Sequence, residues 1–206
     1  MASFSTFKTL SAALVHFKVV ENTKSIFPPI PNTHTVSPAL AEELSFNIAE
    51  MPYNESEVSL CEMIIFPILK TVWIHFKQKL LLWSHKSIGK EAEMTGIPDY
   101  IVAKRSPYGR VMDLPFLVMI AAKKDDFDEG WGQCLAQMIT AQSLNKEEGK
   151  VYGIVTNGEL WQFAQLERHI FTKHSAAYSL QDLNTLYNML YHLFELCEKR
   201  VTTSEK

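Results

Sequence analysis

Polar and apolar positions alternate with two different periods along this chain. Around Val58, Cys61, Ile65, Leu69, Val72 and Phe76, apolar residues recur at helical spacing, and Pro67 should kink that helix or begin a new turn. "LLLWSHKSI" (80–88) is short and apolar and predicts a strand or a helix end. "GIPDYIVAKRS" (96–106) predicts a strand opened by Gly96 and Pro98. "SPYGRVMDLP" (106–115) is rich in turn residues and predicts a connection. "FLVMIAA" (116–122) is a wholly apolar strand of the kind buried on both faces. "DEGWGQCLAQMITAQSLN" (128–145) returns to helical spacing. "VYGIVTNGELWQFAQL" (151–166) predicts two strands joined at Asn157-Gly158, and "RHIFTKH" (168–174) a further strand. Leu183, Leu186, Leu190, Leu193 and Cys197 form the apolar stripe of a closing helix.

The first fifty residues are less ordered in pattern. A short amphipathic helix is expected near the N-terminus, then an extended proline-rich stretch, then a helix with Ser37 as N-cap and Pro38 at its first position. We therefore expect an accessory arm over 1–54 and an α/β domain over 55–206, built as a mixed sheet flanked by helices.

Composition narrows the function classes. The 206 residues are 47% hydrophobic and 21% charged, with a formal net charge of −3, so any nucleic-acid surface must be a local basic patch. Cys61, Cys134 and Cys197 are far apart, lack metal-ligand spacing and read as reduced core residues of a cytoplasmic protein. No stretch has transmembrane length. A serine or cysteine hydrolase has no elbow motif to support it.

One constellation carries chemistry. Pro98-Asp99 opens one predicted strand, the next ends in Ala121-Ala122-Lys123, and the following helix carries Gln133. Neighbouring strands lie roughly 5 Å apart, so a carboxylate and a lysine on them can share a metal and a water. With the "YGIVTNGELWQF" hairpin, this order resembles the PD-(D/E)xK nuclease superfamily, the restriction-endonuclease-like fold with core order αβββαβ. It is also similar to small bacterial and cyanobacterial proteins of that fold and to the N-terminal nuclease domains of type I restriction subunits. The resemblance runs from about Glu55 to Leu166.

The resemblance implies Mg²⁺- or Mn²⁺-dependent hydrolysis of DNA. Asp99 and Glu62 would be metal ligands, and Asp99, Lys123 and Gln133 catalytic groups. Lys86, Lys104 and Arg105 are candidate phosphate contacts. The departure is Ala121, where the family pattern places a second carboxylate. Either that ligand is lost, which we favour, or its charge comes from elsewhere: from Glu129 on the next helix, from Asp125, Asp126 or Asp128 in the turn before it, or from Glu62; Gln137 is another migrated position and is not acidic. A non-catalytic binding or assembly module on the same fold is the alternative, and the closing helix leaves a homodimer open. Each residue also has a plainer reading: Asp99 as a turn residue, "KKDDFDE" as a solvated turn before a helix N-terminus, His85 as a capped structural histidine.

Overall fold

The computed structural model describes residues 2–90 and 94–203. Strands β2 (Val20–Lys24), β3 (Leu80–Ser84), β6 (Tyr100–Ser106), β7 (Gly109–Ala122), β8 (Val151–Thr156), β9 (Leu160–Glu167) and β10 (Ile170–Ser179) form one sheet in the order β2-β10-β9-β8-β7-β6-β3. β3, β6 and β7 are successive antiparallel neighbours, and β8 runs parallel to β7. The parallel step needs a crossover, which α5 (Phe127–Leu144) supplies. The α/β class and the mixed sheet flanked by helices are as the hydrophobic pattern predicts.

Two apolar layers hold the helices to the sheet. On one face lie α2 (Pro38–Glu50), a continuous helical run of α3 (Glu57–Leu60), a π-helical turn (Cys61–Ile65) and α4 (Phe66–Trp73), and the closing helix α6 (Leu183–Thr203). On the other lie α1 (Leu10–Phe17) and α5. β7 alternates between them: Val118, Ile120 and Ala122 face the first layer, Met119 and Ala121 the second. The stripe of α6 is consumed within the chain, since Leu186, Leu190, Leu193 and Cys197 all lie in the first layer.

The arm is woven into this body. Leu40 and Leu44 enter one core layer, Phe4, Phe7, Leu10 and Ala13 the other, and β2 extends the sheet beside β10. Ser37 caps α2 through the Leu40 N–H, with Pro38 in its first turn. A second, three-stranded sheet joins β1 (Ala2–Ser3), β5 (Met94–Gly96) and β4 (Ile88–Lys90). Its strands are too short to show a period.

Three expectations are corrected. The stretch 106–115 is largely strand, with its turn at Pro107-Tyr108; the register is irregular between Ala103↔Phe116 and Arg105↔Met112, which lets Pro115 sit in a strand without costing a regular ladder bond. Gly96 belongs to β5, and β6 begins only after Pro98-Asp99. The Asn157-Gly158 hairpin is present, but three residues (157–159) separate its strands, and Asn157 Oδ1 accepts the N–H groups of Glu159 and Leu160. Pro67 stands in the first turn of α4, just past the π-helical turn. It has no N–H for the carbonyl of Met63 one turn back, and that carbonyl accepts Asn47 Nδ2 at 2.7 Å instead.

Candidate functional site

β6 and β7 are antiparallel, so the start of β6 and the end of β7 share one end of the sheet. Regular pairing ends at Tyr100↔Ile120; one residue further, Asp99 comes opposite Ala121. Beyond that the ladder meets Pro98, which has no N–H to give. The carboxylate of Asp99 continues it: Oδ2 accepts the backbone N–H of Ala122 at 2.8 Å. The order proline then aspartate thus ends the strand pair and pins one carboxylate oxygen. On the β3 side, the Asp99 carbonyl accepts the N–H of His85 at 2.9 Å.

The other oxygen, Oδ1, faces His85 Nε2 at 3.6 Å. His85 sits just past β3 with φ 48°, a left-handed conformation uncommon for a non-glycine residue. Its Nδ1 lies 2.8 Å from Ser84 Oγ, which orients the ring. The Asp99 side chain is 24% exposed. Burial pushes its pKa above the ordinary value; the Ala122 N–H, His85 and Lys123 pull it down, Glu57 adds to the rise, and burial prevails.

Lys123 leaves the end of β7 with its N–H on the Thr156 carbonyl of β8, at 2.9 Å. Its stem runs against Gly130 of α5, where a β-carbon would stand 3.0 Å from Lys123 Cγ and 2.6 Å from Val155 Cγ1. Glycine at 130 is what lets helix and lysine lie this close. The amine lies 3.1 Å from Glu57 Oε1 and 3.9 Å from Glu129 Oε1. Glu129 Oε1 also accepts Lys8 Nζ at 2.9 Å and Gln133 Nε2 at 2.7 Å. Asp126 caps α5 by accepting the Glu129 N–H at 2.9 Å, which fixes where that side chain emerges.

Asp99, Lys123, Glu129 and Gln133 therefore lie at one end of the sheet. Glu62 is near enough for its charge to act on Cys61 and Tyr100. It is exposed on the π-helical turn, and the acid of that helical run which reaches Lys123 is Glu57, in the first turn of α3 behind the Ser56 cap. Lys104 and Arg105 do not stand at this end of the sheet. They lie five and six residues along β6 from Asp99, roughly 17–20 Å away at strand rise. There Arg105 donates to the Lys77 carbonyl at 2.9 Å. Lys86 is exposed beside His85, on the site's side. Ala121 is 2% exposed in the α5-facing layer.

Sequence reasoning missed Glu57, Lys8 and Cys61. Glu57 and Lys8 reach the site through contacts spanning 66 and 121 residues, and local pattern carries no signal of that kind. Cys61 fits its helix's apolar period and is buried, yet its Sγ and the ligand atoms of His85 and Asp99 all lie within 4.8 Å of one another. Burial, with the charge of Asp99 beside it, raises the Cys61 thiol to about 12. Among the described residues no helix is long and apolar enough to cross a membrane. No protein-family model matches the chain, and no curated protein matches it.

Proposed function

We propose that the chain has a restriction-endonuclease-like fold and hydrolyses phosphodiester bonds of DNA at the sheet end holding Asp99 and Lys123, with Glu57 and Glu129 in place of the carboxylate absent at position 121. The reading rests on one observation: the Lys123 amine contacts both Glu57 and Glu129 at the strand end where Asp99 ends the neighbouring strand. The order of helix, three antiparallel strands, crossover helix and parallel strand supports the fold assignment.

The acidic set suits a hard divalent ion held weakly. Glu57 and Lys123 both act on the charge of Asp99, Glu57 raising its pKa and Lys123 lowering it, so the two carboxylates lie near one another with the amine close to both. Asp99 and Glu57 would hold Mg²⁺ or Mn²⁺, with Glu129 the next carboxylate. Such an ion supplies a more acidic water and neutralises phosphate charge. The chain's own residues do the rest. The Ala122 N–H fixes Asp99 so that Oδ1 points into the site. Lys123, released from Glu57, donates to a phosphate oxygen and stabilises charge as the bond breaks. Gln133 holds Glu129 in place. Lys8, Lys86 and Lys124, all exposed, are the phosphate contacts nearest this end.

The alternative is a non-catalytic binding or assembly module on the same fold. Ala121 favours it, since a buried methyl supplies no ligand. Cleavage of single- and double-stranded DNA with Mg²⁺ and with Mn²⁺ separates the two. Weak cleavage by the native chain, abolished in Asp99→Ala and in Lys123→Ala, is expected. A native chain inert under all these conditions overturns the nuclease reading and leaves the binding module.

A further inference from the structure

The set around Asp99 is not made of oxygen alone. We infer that Cys61, His85 and Asp99 form a three-ligand site for a later divalent transition metal, of the Zn²⁺ or Co²⁺ class, with the fourth position open to solvent.

The donor atoms carry this. Sulfur, imidazole nitrogen and carboxylate oxygen converge within 4.8 Å of one another. Thiolate and imidazole select zinc-like ions over magnesium, which prefers oxygen. Bonds of about 2.0–2.3 Å at tetrahedral angles set ligand atoms roughly 3.3–3.6 Å apart. His85 Nε2 and Asp99 Oδ1 already stand at 3.6 Å. Cys61 has to close by up to about 1 Å on that spacing. It begins the π-helical turn, a distortion of the kind that recurs at functional sites.

Outer partners are in place for two ligands. Ser84 Oγ sits 2.8 Å from His85 Nδ1, and the Ala122 N–H holds Asp99 Oδ2 at 2.8 Å, leaving Nε2 and Oδ1 for the ion. Metal-binding imidazoles and carboxylates commonly show this arrangement. Burial differs across the set. Cys61 lies inside the core while the His85 side chain is 45% exposed, so the open side faces water. Three protein ligands with an open fourth position is the pattern of a zinc site that can bind a water or a substrate oxygen.

The inference shares Asp99 with the proposed nuclease centre but needs no substrate. The test is titration of the reduced, metal-free native chain with Co²⁺. One equivalent should bring up a thiolate-to-cobalt charge-transfer band together with the visible bands of tetrahedral Co²⁺. Zn²⁺ should displace the ion and excess Mg²⁺ should not. Cys61→Ser should lose the charge-transfer band. His85→Ala should bind at least tenfold more weakly with an unchanged far-UV spectrum, and Ser84→Ala should weaken binding by a smaller factor. Absence of a thiolate band in the native chain overturns the inference, as does a band that survives Cys61→Ser or one unaffected by His85→Ala. A chain that binds Co²⁺ this way yet leaves DNA intact overturns the nuclease reading alone. A chain that cleaves DNA with Mg²⁺ and shows no thiolate band overturns the metal site alone.

Discussion

Lys123 and Glu57, 66 residues apart, meet at 3.1 Å, and the same amine has Glu129 at 3.9 Å on its other side. A lysine held by two carboxylates beside a third, Asp99, gives this sheet end more negative than positive charge until a cation arrives. The acids should therefore matter for activity more than for folding. Glu57→Gln and Glu129→Gln are expected to lower DNA cleavage by roughly ten- to a hundredfold. Glu57→Gln should change unfolding free energy by less than about 1 kcal/mol, because Glu57 is exposed; Glu129→Gln should cost more, about 1–2 kcal/mol, because Glu129 is half-buried and holds Lys8, Lys123 and Gln133. Glu62→Gln should leave cleavage unchanged. Equal losses in all three variants would mean that net charge, not position, sets the rate.

Asp99 has a structural duty separable from its charge. Asp99→Ala removes the acceptor of the Ala122 N–H and should destabilise the chain by about 1–3 kcal/mol. Asp99→Asn keeps an acceptor oxygen and should unfold at nearly the native urea concentration, while losing cleavage as completely as the alanine variant. Similar unfolding midpoints for the two variants would deny the strand-end bond a structural role.

The same carboxylate gives stability a dependence on pH. Burial is the largest influence on Asp99 and raises its pKa above the ordinary 3.8. Between the unfolded and folded values the folded chain binds more protons, so the group's contribution is complete below the unfolded value and is lost as pH rises through the folded one. The stability of the native chain relative to Asp99→Asn should therefore fall with rising pH across that window. Urea midpoints of both proteins from pH about 3.5 to about 7 read this directly. A difference that grows with pH would reverse the sign assigned to this site.

Ala121→Glu places a carboxylate two residues before Lys123, in a layer where the native side chain is 2% exposed. The variant should lose about 2–4 kcal/mol, read as a melting temperature lower by roughly 5–15 °C. Mn²⁺ should restore part of that loss if the new carboxylate reaches the ion bound by Asp99. A melting temperature equal to the native one without metal would show that position 121 opens to water.

Gly132 carries the N-terminal arm. A β-carbon there would stand 2.6 Å from the Thr9 carbonyl oxygen and 2.8 Å from that of Phe7. Both are backbone atoms, and neither can swing aside as a side chain does. Gly132→Ala should push the arm off α5 and cost about 1–3 kcal/mol. Limited proteolysis should then cut within the first twenty residues faster than in the native chain. An unchanged digestion pattern would show that the arm adjusts without leaving.

Some of this could be read from the sequence because it is local. The period of 183–197 predicted α6, and Ser37-Pro38 predicted the start of α2 to the residue, since caps and amphipathic stripes depend on neighbours three and four positions away. Asp99 and Lys123 were also legible. Each stands at a strand end, and adjacent antiparallel strands leave little choice about which ends meet. Position 106–115 was misread because its proline and glycine mark turns, while the irregular register that admits Pro115 depends on the facing strand. Lys104 and Arg105 look close to Asp99 in sequence, but an extended strand carries them to the far end of the sheet.

By itself, then, the sequence determined the long helices, the buried strand and the strand-end positions of Asp99 and Lys123, because hydrophobic period and strand order are properties of the chain's own succession. The tertiary structure alone decided which acids stand beside them. Glu57 rather than Glu62 reaches Lys123, Lys8 crosses from the arm to Glu129, and Cys61 turns its sulfur toward His85 and Asp99. Those meetings depend on how helices rotate and settle on the sheet, which is set by packing summed over the whole core, and no short stretch of residues encodes that sum.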